Sequence, residues 1–472
     1  MSRLQEIINS DSFPKPKLDP GFVPAVLWNR DYQTRVDQSG QPCPVAIALI
    51  QPDESCSIFH TRILPMAAEY DVRTLQYLER ILKFLLWQRG GSRVLVAGCD
   101  HLVGSLSAIY SPNGERSFDY EFFGRKIYRE PLTIRACPVE SLPESCEKTR
   151  SLGRHLDGCR IGFDLGGSDR KCAALVDGKV VFSEEVEWNP YFETDPNYHL
   201  DGINDSLQRA AAHLPRVDAI GGSAAGVYVH NEIRTASLFR GISSDDFEQR
   251  VRHMFFDLKE RWGNIPFEVT NDGDVTALAG SMAMHENAVL GISMGTSLAT
   301  GYVNALGKIT PWLNELAFAP LDVREDAPRD EWSGDLGCGV QYLSQQAVAR
   351  LAPWAGLTFA DRMPFAERLV KVQEKMADGD ERAAKIYATL GTYLGYAVAH
   401  YADFYDIRKV LLLGRVTSGE GGALLLDQAV HLLDVGFPDL AGRIEIETPG
   451  EKDKRHGQAV AAASLPALGA RS

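Results

Sequence analysis

The sequence predicts an α/β protein with a duplicated core, preceded by a smaller α/β extension. Three observations carry this. An apolar strand, a Gly/hydroxyl turn and a second apolar strand occur at residues 160–176, around Gly166-Gly167-Ser168. The same layout returns at 288–303, around Gly295-Thr296-Ser297, about 130 residues later. Strand-like runs alternate with helix-period segments through both halves, the pattern of α/β architecture. A separate strand–strand–helix–strand run fills the first hundred residues. At 472 residues the chain is too long for one core. The expected parts are an extension (1–150), a small lobe (159–284 plus 457–472) and a large lobe (285–456), the two lobes facing one cleft.

Composition narrows the function classes. Hydrophobic content of 44% and charged content of 24% are ordinary for a globular protein. A net charge of −14 argues against nucleic acid or an anionic membrane as a main partner. It leaves open a small anionic ligand, which needs only local positive potential. Eight cysteines, at 43, 56, 99, 137, 146, 159, 172 and 338, show no C-x-x-C pair and no zinc-type spacing with histidine. Scattered thiols in a long chain point to a reducing cytoplasm. The N-terminus lacks a basic region followed by a long apolar core, so no signal peptide is read, and no apolar run spans a bilayer.

Residues 1–40, with prolines at 14, 16, 20 and 24, read as an irregular lead-in. Residues 45–50 form an apolar strand, and the Pro52-Asp53 turn returns the chain into a partner strand at 57–64. Val72, Leu75, Leu78, Leu82, Leu85 and Leu86 recur at helical spacing, and Gly90-Gly91 stops that helix. Residues 93–98 are the next strand. This run reads either as a decayed echo of the region beginning at 160 or as an independent extension. The polar stretch 138–158, with Pro138 and Pro143, is the interdomain linker candidate.

From 160 a strand delivers Asp164 into Gly166-Gly167-Ser168. Strands follow at 171–176 and 179–182, joined by the hairpin signal Asp177-Gly178. Exposed N–H groups in a glycine turn can bind phosphate, and an acid before them suits a hydrated Mg²⁺ on that phosphate. A tight hairpin with a capping acid explains the octamer equally well. After a polar connection (188–200) and a helix near 201–213, the strand at 217–220 enters Gly221-Gly-Ser-Ala-Ala-Gly226, read as a packing turn close to backbone or ligand. A strand at 267–270 ends in Asn271-Asp272-Gly273-Asp274 before a small-residue helix, which Asp274 is expected to cap. Open α/β sheets place ligands at such strand ends. Helices are read at 338–351, 361–375, 381–404, 424–433 and 456–468, and strands at 410–413 and 444–446.

Together these motifs resemble the ROK family of sugar kinases, within the actin-like ATPase (ribonuclease H-like) superfamily, over about residues 160–468. Asp164-Leu-Gly-Gly-Ser168 is similar to the first phosphate motif. Gly291-Ile-Ser-Met-Gly-Thr-Ser297 is similar to the second. Leu412-Leu-Gly-Arg-Val-Thr-Ser-Gly419 resembles the adenosine motif. Asn271-Asp272 matches the pair that holds sugar and supplies the catalytic base. The resemblance implies two actin-like lobes around a cleft and ATP-dependent phosphoryl transfer to a sugar hydroxyl. It implies Asp272 as base and Asp164 on Mg²⁺ through water. Gly166, Gly167, Ser168, Lys171, Gly295, Thr296, Ser297, Gly414, Ser418 and Gly419 would bind ATP, and Gly226, Asn271 and Glu315 the sugar. A homodimer is the family's common assembly.

The departures qualify it. The stretch comparable to the family's zinc loop, 332–340, has one cysteine, so no zinc is expected. The Glu-x-x-His sugar clamp reads Glu315-Leu-Ala-Phe318, and a further sugar-binding glutamate is replaced near Val340-Gln341. Asp169 stands where the family often has lysine, with Arg170 or Lys171 as substitutes, and Arg415 replaces a common glycine. The acidic chain and its α/β extension do not suit a helix-turn-helix repressor. Two functions follow: an ATP-dependent carbohydrate kinase, or a catalytically weak sugar- or nucleotide-binding sensor or regulator. A different actin-like phosphotransferase is a third.

Overall fold

A computed structural model describes residues 13–146, 152–448 and 457–468. Contacts divide the chain into two compact units, and the expected three-part division is not the one they draw. The first unit joins Met1–Lys148 to Ile292–Ala299 and Trp312–Thr448. The second comprises Thr149–Gly291, Thr300–Pro311 and Pro449–Ser472. The extension therefore belongs to the same compact body as most of the expected large lobe. Residues 147–151 of the expected linker lie outside the described residues.

In the first unit the expected irregular lead-in is irregular over 13–23, and its residues 1–12 lie outside the described residues. The rest is not irregular: it contains helix α1 (Ala25–Gln38), which begins at Pro24 without a side-chain cap. Its first N–H is given instead to the Leu321 carbonyl at 2.9 Å. That long-range partner has no signature in the local sequence. The hairpin β1 (Cys43–Ile50) and β2 (Cys56–Ile63) is as expected. Helix α2 (Ala68–Arg89) buries Leu78, Leu82, Leu85, Leu86 and Trp87 and stops at Gly90. Strand β3 (Arg93–Ala97) pairs antiparallel with β1, and β4 (Thr133–Ala136) lies parallel to β3. The resulting sheet order is β2-β1-β3-β4.

The extension is held to the rest of its unit by buried charge. Lys83 on α2, 1% exposed, bonds Asp119 at 2.8 Å and Asp335 at 2.6 Å. Arg116 adds bonds to Asp335 at 2.6 Å and Glu79 at 2.7 Å. Burial opposes the Lys83 ammonium, but the two carboxylates hold it above its ordinary value. At the other end Arg324 grips Asp19 with two nitrogens, at 2.6 and 3.0 Å. Further helices of this unit include Asp100–Ile109, Gln345–Trp354, Phe365–Ala377, Glu381–Tyr401 and Gly419–Gly436. A four-stranded sheet runs in the order Leu298–Val303, Val289–Met294, Lys409–Leu413, Glu445–Glu447.

The second unit is built on five strands: β5 (Cys159–Leu165), β6 (Asp169–Val176), β7 (Lys179–Glu187), β8 (Ala219–Ala224) and β11 (Phe267–Asn271), with a side hairpin of β9 (Val227–Val229) and β10 (Glu232–Thr235). The sheet order is β11-β8-β5-β6-β7. β5, β8 and β11 are parallel, while β6 and β7 return antiparallel. Asp177 and Gly178 turn with φ of 46° and 79°, as the expected hairpin needs. One face packs Ile161, Phe163, Leu165 and Ile220 against helices including Pro196–Ala211 and Met254–Arg261. The other face carries the closing helix Gly457–Ala463. A Cβ on Gly221 would run into the Ala462 carbonyl of that helix. The packing reading of the 221–226 run accounts for that glycine.

Candidate functional site

The parallel strands of the second unit end together, and the acids sit at those ends. The register sets Asp164 beside Lys171 on one neighbour and Ser223 on the other. It also sets Asn271 level with Ala224. Asp164 is 6% exposed and accepts a hydrogen bond from the Ser223 hydroxyl at 2.6 Å. Burial raises its pKa, partly offset by Ser223 and Lys171. Ser223 was not singled out as a site residue. The small-residue run around it was the available signal.

The helix Asp272–Met284 starts where β11 stops. Its cap is Asn271, not Asp274: the Asn271 Oδ1 accepts the Gly273 N–H at 2.7 Å. Asp274 is buried, and its carboxylate accepts the Tyr302 N–H at 3.2 Å instead. The Asn271 amide also donates to the Gly226 carbonyl at 2.7 Å, which fixes both ends of its side chain. Asp272 follows at the first helical position. Burial pushes its pKa up to about 6, and the nearby Asp164 charge adds to this against the Gly273 N–H. A carboxylate held near neutrality at a strand end is equipped to accept a proton.

The first glycine turn is closed on itself. The Gly166 N–H bonds the Asp169 carbonyl at 2.9 Å, and the Trp188 indole donates to the Gly166 carbonyl at 2.8 Å. A Cβ on Gly167 would strike the Tyr191 hydroxyl, so this glycine is required by its own unit. Asp169 engages Lys171 at 3.0 Å and accepts from Ser168 Oγ at 2.9 Å. Burial opposes the Lys171 ammonium, but Asp169 first, then Asp164 and Glu185, hold it above its ordinary value. The cation beside this turn thus already has a carboxylate partner.

The first unit brings the other two motifs together. Gly295 donates its N–H to the Ser297 carbonyl at 2.9 Å, and its own carbonyl accepts from Gln345 N–H at 2.9 Å. Thr296 and Ser297 are exposed. Gly414, at φ 94°, lies so close to Met294 that a Cβ would meet the Met294 carbonyl. The 414–419 turn is therefore packed on the strand that enters the 295–297 turn. Ser418 and Gly419 are exposed at the start of an 18-residue helix, whose unpaired N–H groups suit an anion or polar ligand.

Glu315 lies in the first unit, beside the extension. The Glu315 and Asn314 N–H groups donate to the Trp87 and Gln88 carbonyls at the end of α2, each at 2.9 Å. Phe318 packs on the Trp87 ring, with centroids 4.5 Å apart and Phe118 at 5.9 Å. Val340 is buried core, and the Gln341 amide bonds Gln346 at 2.8 Å. Among the described residues no group of three or more His, Cys, Asp or Glu side chains is placed to hold a metal ion, and no helix is long and apolar enough to cross a membrane.

No protein-family model and no curated protein sequence matches the chain. Solved structures do. A ROK hexokinase from Thermus thermophilus is 19% identical with a TM-score of 0.51, covering 65% of this chain and 96% of its own. A ROK-family transcriptional regulator, described as a homologue of the E. coli MLC protein, is 18% identical with a TM-score of 0.52, covering 66% of this chain and 79% of its own. About a third of this chain lies outside either match. The remainder has the α/β fold that these two proteins share, as expected. Because one is a hexokinase and the other a regulator, function has to be argued from the site itself.

Proposed function

We propose that this protein transfers the γ-phosphoryl group of ATP to a hydroxyl of a sugar or sugar-like substrate. The observation that carries the reading is Asp272, a carboxylate held near pKa 6 beside Asp164 at the end of parallel strands. Asp272 takes the proton of the attacking hydroxyl, a role that works best with a pKa close to working pH. Asn271, fixed at both ends, keeps one N–H and one lone pair for a substrate hydroxyl. Gly414, Ser418 and Gly419 receive the adenosine moiety, and Gly295, Thr296 and Ser297 the phosphates.

A single buried carboxylate, Asp164, fits Mg²⁺ held mainly by phosphate and water rather than by a protein cage. When bound, that ion supplies charge neutralisation on the phosphates. The test is ADP release with Mg-ATP over a panel of hexoses, amino sugars and polyols, for wild type and Asp272→Asn. A substrate turned over by wild type and not by the variant supports the reading. Absence of any such substrate removes it.

Two observations favour a second reading, a catalytically weak sugar- or nucleotide-binding regulator. Asp169 occupies Lys171, and Phe318 puts an aromatic ring packed on Trp87 where a hydroxyl-binding side chain was expected. Calorimetry separates the two: sugar or nucleotide binding without turnover supports the regulator.

A further inference from the structure

Two cysteines face each other where the extension ends. After β4 the chain leaves the sheet edge and doubles back. Residues 137–146 cross one face of the sheet β2-β1-β3-β4, from β4 at one edge to β2 at the other. This strap is pinned at three points. At its start the Cys137 N–H donates to the Val96 carbonyl at 3.1 Å. In its middle Leu142 packs on the apolar patch of Ala48, Ile50, Cys56, Ile58 and Leu95. At its end Cys146 bridges Cys56, the first residue of β2, and each gives its N–H to the other's carbonyl at 2.9 Å.

Reciprocal bonding of this kind is the hydrogen-bonded pair of an antiparallel ladder. It sets the two Cα atoms about 5.5 Å apart, with both side chains on the same face. A disulfide takes Cα separations of roughly 4.4–6.8 Å, so the backbone spacing already suits one. The Cβ atoms of such a pair, about 5.5 Å apart, have to close to about 4 Å. The strap side of the bridge belongs to no strand, so it can move in without breaking a ladder. Among the described residues no other two of the eight cysteines stand opposite each other in a bridge. The two thiols also differ in access. Cys146 is exposed, whereas Cys56 is 3% exposed. Burial raises the Cys56 pKa, and charge on the neighbouring Cys146 raises it further. Cys146 is therefore the thiol that an oxidant meets first.

We propose that Cys56 and Cys146 are a redox modification site: oxidation joins them in a reversible disulfide that locks the strap onto the sheet. With hydrogen peroxide as oxidant, one peroxide oxygen passes to the Cys146 sulfur, giving a sulfenic acid and one water. The Cys56 sulfur then displaces the sulfenic oxygen, which leaves as a second water carrying the Cys56 thiol proton. Two thiols lose two electrons in all, and one peroxide is reduced to two waters. A bond closed from an ill-fitting Cβ separation and open to solvent on one side is easily reduced, so a small dithiol releases the strap again.

The experiment treats the full, folded chain with hydrogen peroxide, alkylates the remaining thiols in denaturant, and maps the peptides by mass spectrometry with and without dithiothreitol. The Cys56 and Cys146 peptides should be recovered joined, and dithiothreitol should separate them. The half-buried Cys43 and Cys137 should stay alkylatable and serve as internal controls. Glutamyl endopeptidase should cut after Glu140 and Glu144 several-fold more slowly in the oxidised chain. Cys146→Ser, a change at an exposed side chain, should abolish both effects and melt with the reduced wild type. The proposal is overturned if Cys146 is carried to the sulfinic acid while Cys56 stays free, or if either cysteine pairs with a different one or with a second copy of the chain. It is also overturned if the bond forms only in chain unfolded by urea. Unchanged cleavage after Glu140 and Glu144 in the joined chain would overturn the lock.

Discussion

Replacing Asp272 by asparagine should remove activity and raise stability at the same time. The carboxyl titrates near 6 in the folded chain against an ordinary 3.8. At about 1.4 kcal/mol per pH unit this difference amounts to about 3 kcal/mol. The side chain is half-buried and keeps some water, so about 1–2 kcal/mol is the effect to look for. The sign follows from proton binding. Below pH 3.8 the group is protonated whether the chain is folded or not, and asparagine changes nothing. Between 3.8 and 6 the unfolded chain releases the proton while the folded chain keeps it, so wild type loses stability as pH rises. Above 6 the full penalty applies, and the uncharged asparagine escapes it. Thermal unfolding of both proteins at pH 4.5 and pH 7.5 checks this. The variant should melt several degrees higher at pH 7.5 and much closer to wild type at pH 4.5. Turnover should fall by about 10²–10⁴, the usual contribution of a general base. In wild type kcat/KM should rise through pH 6 to a plateau. Equal melting differences at the two pH values, or a variant less stable at pH 7.5, would refute the account of Asp272 as a charge held against its environment.

Three further outcomes are expected. Lys83→Met leaves Asp119 and Asp335 without their shared cation, so urea unfolding at pH 7 should show a loss of about 3–5 kcal/mol; a loss below 1 kcal/mol contradicts the role given to this network. Asp169→Asn frees Lys171 from its 3.0 Å partner, and the KM for Mg-ATP should fall several-fold, measured at saturating acceptor; an unchanged or higher KM argues that Lys171 does not meet phosphate. Gly414→Ala forces a side chain into φ 94° and onto the Met294 carbonyl, which should cost about 1–3 kcal/mol and abolish the thermal shift produced by ATP; an unaltered shift removes the 414–419 turn from the nucleotide site.

The core of the fold was legible because it is local. Continuous apolar runs located the strands, leucine spacing located α2, and Asp177-Gly178 located a hairpin whose two positive φ angles the sequence itself demands. The acids at strand ends were legible for the same reason: Asp164 and Asp272 each close an apolar run. What escaped was set by distant partners. Helix α1 was hidden by its prolines and its uncapped start, because the group that satisfies its first N–H, the Leu321 carbonyl, is almost three hundred residues away. The cap of the helix Asp272–Met284 was misassigned to Asp274 because an acid two residues inside a helix reads as a cap, whereas that carboxylate accepts the Tyr302 N–H. Asp169 could not be interpreted from its neighbours in sequence either. Its meaning comes from strand register, which turns Lys171 toward both Asp169 and Asp164.

The extension also changes how the site's unexplained positions should be read. Its α2 helix reaches Glu315 and Asn314 through the Trp87 and Gln88 carbonyls, and Phe318 through the Trp87 ring. Lys83 and Arg116 take both oxygens of Asp335. Ala25 and Val23 give their N–H groups to Leu321 and Asp322. So residues 314–335, which carry the expected sugar clamp, take several hydrogen bonds and both cations of Asp335 from the extension. Deleting the extension would orphan those groups at about 1–3 kcal/mol for each buried hydrogen-bonding partner, and more for Asp335. The sum rivals the whole stability of an ordinary domain, about 5–15 kcal/mol. Loss of activity on truncation would therefore report the collapse of this segment, and Phe318 is better understood as the counterpart of Trp87 than as a histidine that was lost. A Phe318→His exchange leaves Trp87 without its ring partner, so a gain in hexose affinity should come, if at all, only with a lower melting temperature.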